Sequence, residues 1–390
     1  MSPTTMSQQR RRWDVFCRVI DNFGDVGVCW RLARQLVAEH GIEVRLFVDA
    51  PAALARIEPT LDATRNDQLV EGVRVQRWGG PRQERSVADP GAVVVEGFGC
   101  GLPEPYLAAM TGQHPQPVWI NLEYLSAETW IEGCHGLASR HPRLPLTRHF
   151  FFPGFTSSSG GLLRERDLFE RRDAFRTDMG AQERLWRVLG VTEPEPTTLV
   201  ASLFCYPNAP LASLLGAWSE GDQPVLCLVP EGIAASALGE WAGGAPPSPG
   251  TQATHGRLTL ASIPFLSQQD YDRLLWQCDV NFVRGEDSFV RAQWAARPFI
   301  WQPYPQADNA HRLKLDAFLD RYTEGLAAGA TTALRAFSSS WSNDSDAGAY
   351  WSALEHVRSE LSGHAQAWAG RFAALPDLAE NLVKFCSHRV

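Results

Sequence analysis

The sequence predicts an α/β protein with two doubly wound domains, each built on a largely parallel sheet. Three observations favour this class. The chain of 390 residues suits more than one domain, an apolar β-α-β pattern lies near its N-terminus, and a second series of apolar strands starts after residue 190. Ligands of such sheets bind at the carboxyl ends of the strands. The two domains are therefore expected to face each other across a cleft.

The first domain opens with the β-α-β unit. Trp13–Ile20 has the apolar content of a strand, and the apolar residues of Cys29–Val37 then recur on one helical face. Glu43–Asp49 is again typical of a strand, and a helix between two strands predicts that the strands are parallel. Two further short apolar runs extend the series: Val93–Val95 and Val118–Leu122.

The second domain follows the Pro- and Glu-rich segment Val191–Thr197. The boundary is therefore placed at residue 190, with domains at 13–190 and 191–367, and residues 368–390 are predicted to return to the first domain as a helix. Five strands are predicted in the second domain: Thr198–Phe204, Pro224–Pro230, Arg257–Phe265, Val280–Val283 and Pro298–Gln302. Three Gly-, Ser- or Pro-rich stretches are interpreted as surface loops: 157–161, 243–251 and 338–348.

Composition excludes several function classes. The net charge of −8 argues against a nucleic-acid binder. The sequence contains no run of 18 apolar residues, so no membrane span is predicted. The eight cysteines form no CxxC pair, which favours reduced core residues of a cytosolic protein. No ligand pair has metal-site spacing, so no metal is predicted.

The first motif with chemical potential is DNFGD, which follows the first predicted strand. Asp21 and Asp25 are expected in the loop before the next helix, where open α/β sheets place reacting groups. Gly24 allows a tight turn. Two carboxylates beside an apolar strand favour a catalytic base, although Asp25 as a simple helix cap remains an alternative.

The second motif is RGEDS, between the strand Val280–Val283 and a helix that starts at Asp287 or Ser288. Unpaired N–H groups at a helix start and the Arg284 guanidinium both suit a diphosphate. Glu286 is better explained as an acceptor for sugar or ribose hydroxyls. A capped helix with surface charges is the alternative.

Aromatic and polar side chains follow two other strands of the same half. Phe204 and Tyr206, and Phe265 and Gln268, suit a nucleobase that stacks on a ring and is read at its edge. A core position for each phenylalanine is an equal alternative. GFGCG, Gly97–Gly101, lacks the GxGxxG spacing and is assigned no role.

The stretches DNFGDVGVCWRLARQL, SLFCYPN and FVRGEDSFVRAQWAARPFIWQPYPQ resemble the bacterial protein-arginine rhamnosyltransferases that modify translation elongation factor P. The resemblance extends over nearly the whole chain. It implies a GT-B fold and the inverting transfer of L-rhamnose from dTDP-β-L-rhamnose to one arginine of that factor. It also implies a cytoplasmic enzyme that needs no metal or cofactor.

The resemblance also implies roles for individual residues. Asp25 is the expected base, supported by Asp21, and Glu286 holds the ribose or sugar and joins the catalytic set. The remaining donor-site residues flank the thymine or hold the diphosphate: Phe204, Phe265 and Gln268 for the base, and Tyr206, Arg284, Asp287 and Ser288 for the diphosphate.

Three other functions remain open on the residues alone. One is a GT-B enzyme with a small-molecule acceptor or epimerase activity, and another is a non-catalytic nucleotide-sugar binding protein. A nicotinamide-dependent oxidoreductase is disfavoured by the missing GxGxxG motif.

Overall fold

The computed structural model describes residues 12–21, 23–79, 89–244, 248–306, 309–343 and 346–389. The chain divides into two compact units. The first unit runs to Arg166 and includes Leu375–Val390, and the second unit is Asp167–Ala374. Within the described ranges, no helix combines the length and the apolar character needed to cross a membrane.

The first unit is one eight-stranded sheet with helices. Its elements are β1 (Arg12–Cys17), α1 (Gly24–His40), β2 (Glu43–Val48), α2 (Pro51–Ile57), β3 (Asp67–Val70), β4 (Val73–Arg77), β5 (Val93–Gly97), α3 (Glu104–Thr111), β6 (Val118–Leu122), α4 (Trp130–Cys134), β7 (Ala138–Arg140) and β8 (Thr147–Phe151), with a C-terminal helix at Leu378–Ser387.

The strand order of this sheet is β3-β4-β2-β1-β5-β6-β8-β7. The six inner strands are parallel, and β3 and β7 are antiparallel edges. Five of the six residues of β1 are buried, and Phe16 stacks on Phe47 with ring centroids 4.4 Å apart. The chain runs from β1 outward to β2 and later resumes at β5 on the other side of β1. The gap between the ends of β1 and β5 is therefore the switch point at which this sheet should bind a ligand.

The second unit is a six-stranded sheet with helices. Its elements are α5 (Leu168–Thr177), α6 (Met179–Leu189), β9 (Leu199–Leu203), α7 (Leu211–Glu220), β10 (Val225–Pro230), α8 (Ala235–Ala242), β11 (Gln252–His255), β12 (Leu258–Ile263), α9 (Gln268–Gln277), β13 (Val280–Arg284), α10 (Asp287–Ala295), β14 (Phe299–Gln302), α11 (Ala310–Tyr322), α12 (Ala328–Ser342), α13 (Gly348–His356) and α14 (Arg358–Ala373).

The order of the second sheet is β11-β12-β10-β9-β13-β14, and only β11 is antiparallel. Its switch point lies between β9 and β13, the strands that precede Phe204 and RGEDS. Helices α9 and α10, which begin at this edge, are held together by a buried ion pair. Arg291 donates to both carboxylate oxygens of Asp272, at 2.9 and 2.7 Å.

The predicted α/β class and every predicted strand are confirmed, with ends that shift by a few residues. The largest shift concerns β1, which ends at Cys17, and the Ile20 side chain is 60% exposed. The strands that were not predicted, β3, β4, β7, β8 and β11, lie at or next to the edges of the sheets. Their exposed residues interrupt the continuous apolar runs that mark buried strands.

The domain boundary differs from the prediction at residue 190. Helices α5 and α6 belong to the second unit because they pack on α9, where the Phe175 and Trp276 rings lie 5.7 Å apart. The second boundary also differs, since α14 stays in the second unit. There Trp368 donates to the Gln293 side chain at 2.9 Å, and only the chain from Leu375 onward belongs to the first unit.

Two of the three predicted loops were wrong in part. Residues 338–342 complete α12, and this helix buries Trp341 against Phe282 with ring centroids 4.9 Å apart. The serine-rich composition of this stretch was interpreted as a loop, but small hydroxyl side chains also fit a buried helix face. Residues 157–161 form an irregular segment whose last part is buried, and a Cβ on Gly161 would lie 2.7 Å from the Pro376 carbonyl oxygen. Residues 344–345, and residues 245–247 of the remaining predicted loop, lie outside the described part of the chain.

Candidate active site

The DNFGD motif connects β1 to α1, and its residue Asn22 lies outside the described part of the chain. The backbone N–H of Gly24 donates to the Asp21 carbonyl oxygen at 2.8 Å, and α1 begins at Gly24. The sequence predicted Asp25 in the loop before the helix. The structure instead places it in the first turn of α1. Gly24 has a steric role, because a Cβ there would lie 3.0 Å from a carboxylate oxygen of Asp21.

Asp25 is buried, with 2% exposure, and its carboxylate organises the turn. One oxygen accepts the backbone N–H groups of Ile20 at 2.8 Å and Asp21 at 2.9 Å. The other accepts the Tyr124 hydroxyl at 3.1 Å. Both backbone donors precede the helix, so Asp25 does not act as a helix N-cap, which was the alternative interpretation. The carboxylate instead ties the end of β1 to a residue that follows β6.

The switch point of the first sheet is completed by two residues that the sequence did not single out. Phe98 and Tyr124 follow β5 and β6, and their rings stack with centroids 4.4 Å apart. Phe98 belongs to GFGCG and has a φ of 56°. That motif was assigned no role because it lacks phosphate-loop spacing, yet it forms the turn beside Asp25. The sequence feature that could have identified this motif is its position directly after the predicted strand Val93–Val95.

The RGEDS motif lies at the corresponding edge of the second sheet. The Arg284 guanidinium is 9% exposed and lies over two rings, 4.5 Å from the Phe204 centroid and 4.6 Å from the Tyr206 centroid. It also donates to the Cys205 carbonyl oxygen at 2.9 Å. Burial raises the pKa of the Cys205 thiol to about 12, so this thiol stays neutral beside the guanidinium. Two of the predicted donor-site residues, Phe204 and Tyr206, thus lie against a third, Arg284.

The start of α10 brings the other polar residues to the same edge. The Ser288 hydroxyl accepts the Arg284 backbone N–H at 3.2 Å and donates to the Arg284 carbonyl oxygen. Gln268, the first residue of α9, donates to an Asp287 carboxylate oxygen at 3.1 Å. Glu286 holds the N-cap position of α10 without a side-chain cap hydrogen bond, so simple capping does not explain it.

Ser267 caps the start of α9. The Ser267 hydroxyl accepts the Asp270 backbone N–H at 3.2 Å and donates to its carboxylate at 3.0 Å. Phe265, between the end of β12 and this cap, is half-buried. The sequence analysis did not identify one further residue of this edge, Gln302. It is buried at the end of β14, and its side-chain oxygen accepts the Tyr206 backbone N–H at 2.7 Å.

The cysteines and potential metal ligands add no further centre in the described ranges. Seven of the eight cysteines are buried, and Cys134 is partly exposed, which confirms that most are core residues. No group of three or more His, Cys, Asp or Glu side chains in those ranges is arranged to hold a metal ion.

Two doubly wound units, each with a switch point at one edge of its sheet, are the architecture of the GT-B fold. The glycosyltransferase VinC, solved in complex with dTDP, superposes with a TM-score of 0.51 at 12% identity, over 97% of this chain and 100% of that chain. That likeness shows the fold, and the predicted GT-B class is confirmed.

The particular family follows from closer relatives. The family model of elongation factor P rhamnosyltransferase EarP matches residues 13–387. A protein-arginine rhamnosyltransferase of Pseudomonas putida is 49% identical over 96% of this chain and 98% of its own. A structure solved to explain EarP-mediated arginine glycosylation of translation elongation factor EF-P is 37% identical, with a TM-score of 0.70, over 97% of this chain and 99% of that chain. The chain belongs to the EarP family, as the motifs predicted, and it is an enzyme of the glycosyltransferase class.

Proposed function

We propose that this enzyme transfers L-rhamnose from dTDP-β-L-rhamnose to an arginine side chain of translation elongation factor P in the cytoplasm, with inversion and without a metal. The observation that carries the proposal is the family match over residues 13–387. It is supported by relatives named protein-arginine rhamnosyltransferase at up to 49% identity. Both motifs on which the chemistry depends lie at the switch points of their sheets.

The acceptor chemistry explains the carboxylates of the first unit. A guanidinium is cationic at neutral pH and a poor nucleophile, so it needs a base that removes a proton as the C–N bond forms. Asp25 is assigned this role, with Asp21 in support. The C–N bond forms at the anomeric carbon while its bond to the diphosphate oxygen breaks, the proton goes to the carboxylate, and dTDP leaves.

The donor is assigned to the second unit. Arg284, with Tyr206, Asp287 and Ser288, would hold the diphosphate. Phe204, Phe265 and Gln268 would bind the thymine, and Glu286 would accept hydrogen bonds from the ribose or sugar. An inverting reaction places the base and the leaving diphosphate on opposite faces of the sugar. A base and a diphosphate site in different units suit that requirement.

The experiment that tests the function is intact mass spectrometry of purified elongation factor P, incubated with this enzyme and dTDP-β-L-rhamnose in the presence of EDTA. We expect one deoxyhexose to be added, and fragmentation should place it on an arginine. A reaction without enzyme and one with an acceptor whose modified arginine is replaced by lysine are the controls.

The negative outcomes separate the alternatives. If no mass is added while calorimetry still detects dTDP binding, the donor site stands and the acceptor assignment is wrong. Transfer that stops with EDTA and returns with a divalent cation would refute metal independence alone.

A further inference from the structure

The end of β6 contains a polar side chain whose hydrogen bonding is incomplete. Asn121 is 2% exposed, and its amide nitrogen donates to the Glu123 carboxylate. The amide oxygen is buried, and no donor among the described residues reaches it. Buried polar atoms are nearly always paired, so an unpaired carbonyl oxygen beside a catalytic edge points to a ligand.

The orientation of this amide is dictated by its neighbour. A carboxylate only accepts hydrogen bonds, so Asn121 must turn its NH2 group toward Glu123, and its oxygen faces away from that side chain. Gly99 lies on the side of the oxygen, where a Cβ would be 3.8 Å from it. Gly99 has a φ of 61°, which favours glycine, and with no side chain it presents only backbone to the oxygen.

This oxygen belongs to the same group of turns as the assigned base. Tyr124 follows Glu123 directly, donates to Asp25 and stacks on Phe98, the residue before Gly99. The buried carboxylate that lies level with Asn121 on β5, Glu96, is already paired. It accepts the Gly101 backbone N–H at 2.8 Å and the Trp119 indole N–H at 3.1 Å. Glu96 therefore explains neither the orientation of Asn121 nor its unpaired oxygen.

We propose that the Asn121 amide oxygen and the Glu123 carboxylate bind the guanidinium of the acceptor arginine and select arginine over lysine. The groups gathered at this edge, including the Asp25 carboxylate, are mainly acceptors. A guanidinium offers five N–H donors in a planar fork and no acceptor, which matches such a set, whereas an ammonium offers three donors from a single point. The inference rests on the proposed function and names the residues that recognise its acceptor.

The test uses Asn121→Leu and Glu123→Gln in the full-length enzyme, with steady-state transfer to elongation factor P. We expect each variant to raise the acceptor KM by about tenfold to a hundredfold, the effect of removing one hydrogen bond to a charged donor. The Kd for dTDP, measured by calorimetry, should remain within about twofold of the wild-type value, because the assigned donor residues are untouched.

Thermal stability separates a ligand-binding amide from a structural one. Asn281 on β13 is the matched control, since its oxygen accepts the Ser202 hydroxyl at 2.6 Å and its nitrogen donates to the Leu275 carbonyl at 3.0 Å. We expect Asn281→Leu, which leaves two buried partners unpaired, to lower the Tm by about 5 °C or more, and Asn121→Leu, which loses only the hydrogen bond to Glu123, to lower it by about half as much.

The inference is overturned if either variant keeps an acceptor KM within threefold of the wild-type value, or if Asn121→Leu lowers the Tm as much as Asn281→Leu does. Glu123→Gln keeps the test decisive if Asn121→Leu fails to fold. Failure of the proposed function looks different, because the wild-type enzyme would then add no deoxyhexose before any variant is compared.

Discussion

Substitution of Asp25 by asparagine isolates the proton-accepting role of this side chain from its structural role. In the wild-type turn, one oxygen accepts two backbone N–H groups and the other accepts the Tyr124 hydroxyl. An asparagine can keep its oxygen toward Ile20 and Asp21 and turn its NH2 toward Tyr124, whose hydroxyl can accept as well as donate. All three contacts survive, and only the basic carboxylate is lost.

The expected effects differ in size. Loss of a general base slows the chemical step by about 10²- to 10⁴-fold, which corresponds to about 3–5 kcal/mol of transition-state stabilisation. Stability changes less, because each hydrogen bond to a charged acceptor weakens by about 1 kcal/mol while the cost of burying a charge disappears. We therefore expect the Tm to stay within about 5 °C of the wild-type value. Alanine would be a poorer test, since it removes the acceptor that shapes the turn.

The assay is single-turnover transfer to elongation factor P with saturating dTDP-β-L-rhamnose, so that the rate reports chemistry and not donor affinity. Asp49→Asn is the matched control, because Asp49 also accepts a backbone N–H of the same loop, that of Val19 at 3.0 Å, and has no assigned catalytic role. Asp49→Asn should react within about threefold of the wild-type rate. An Asp25→Asn rate within tenfold of wild type would refute the assignment of Asp25 as the base.

Three further substitutions test other parts of the structure. Gly24→Ala should displace the Asp21 carboxylate, which lies 3.0 Å from the added Cβ, and should slow transfer with little change in Tm; an unchanged rate would show that Asp21 plays no part in transfer. Arg284→Lys keeps the positive charge but loses the planar stack on two rings, so the Kd for dTDP should rise about tenfold by calorimetry, and a change below threefold would contradict the diphosphate assignment. Asp377 caps the C-terminal helix, and burial raises the pKa of its carboxyl above the usual value of about 4. The neutral carboxyl therefore stabilises the folded protein at low pH, and this stabilisation is lost as the pH rises through the raised pKa. Asp377→Asn keeps the cap without the charge and should gain Tm over wild type at pH 7 but not at acid pH; an equal difference at both pH values would refute this account.

Local pattern was sufficient for much of the fold. The buried parallel strands are continuous apolar runs, such as VVVEG at β5 and VWINL at β6, and their type does not depend on which strand lies beside them. The motifs at their ends were equally readable, because charged and glycine residues directly after such a run mark the edge at which ligands bind. DNFGD and RGEDS were located in this way. The prediction for DNFGD was wrong only in placing Asp25 before the helix.

The contacts of the site required the tertiary structure. Tyr124 is 99 residues from Asp25 along the chain, and Gln302 is 96 residues from Tyr206. Nothing in the spacing of such residues says which strands become neighbours. That choice is made by packing, which sets β5 beside β1 and β13 beside β9, and the same packing assigns α5 and α6 to the second unit. The sequence by itself determined the buried central strands and the two motifs, because periodicity and turn chemistry are local. Only the tertiary structure decided the partners of Asp25 and the unpaired oxygen of Asn121, because hydrogen bonding between distant strands depends on their order in the sheet.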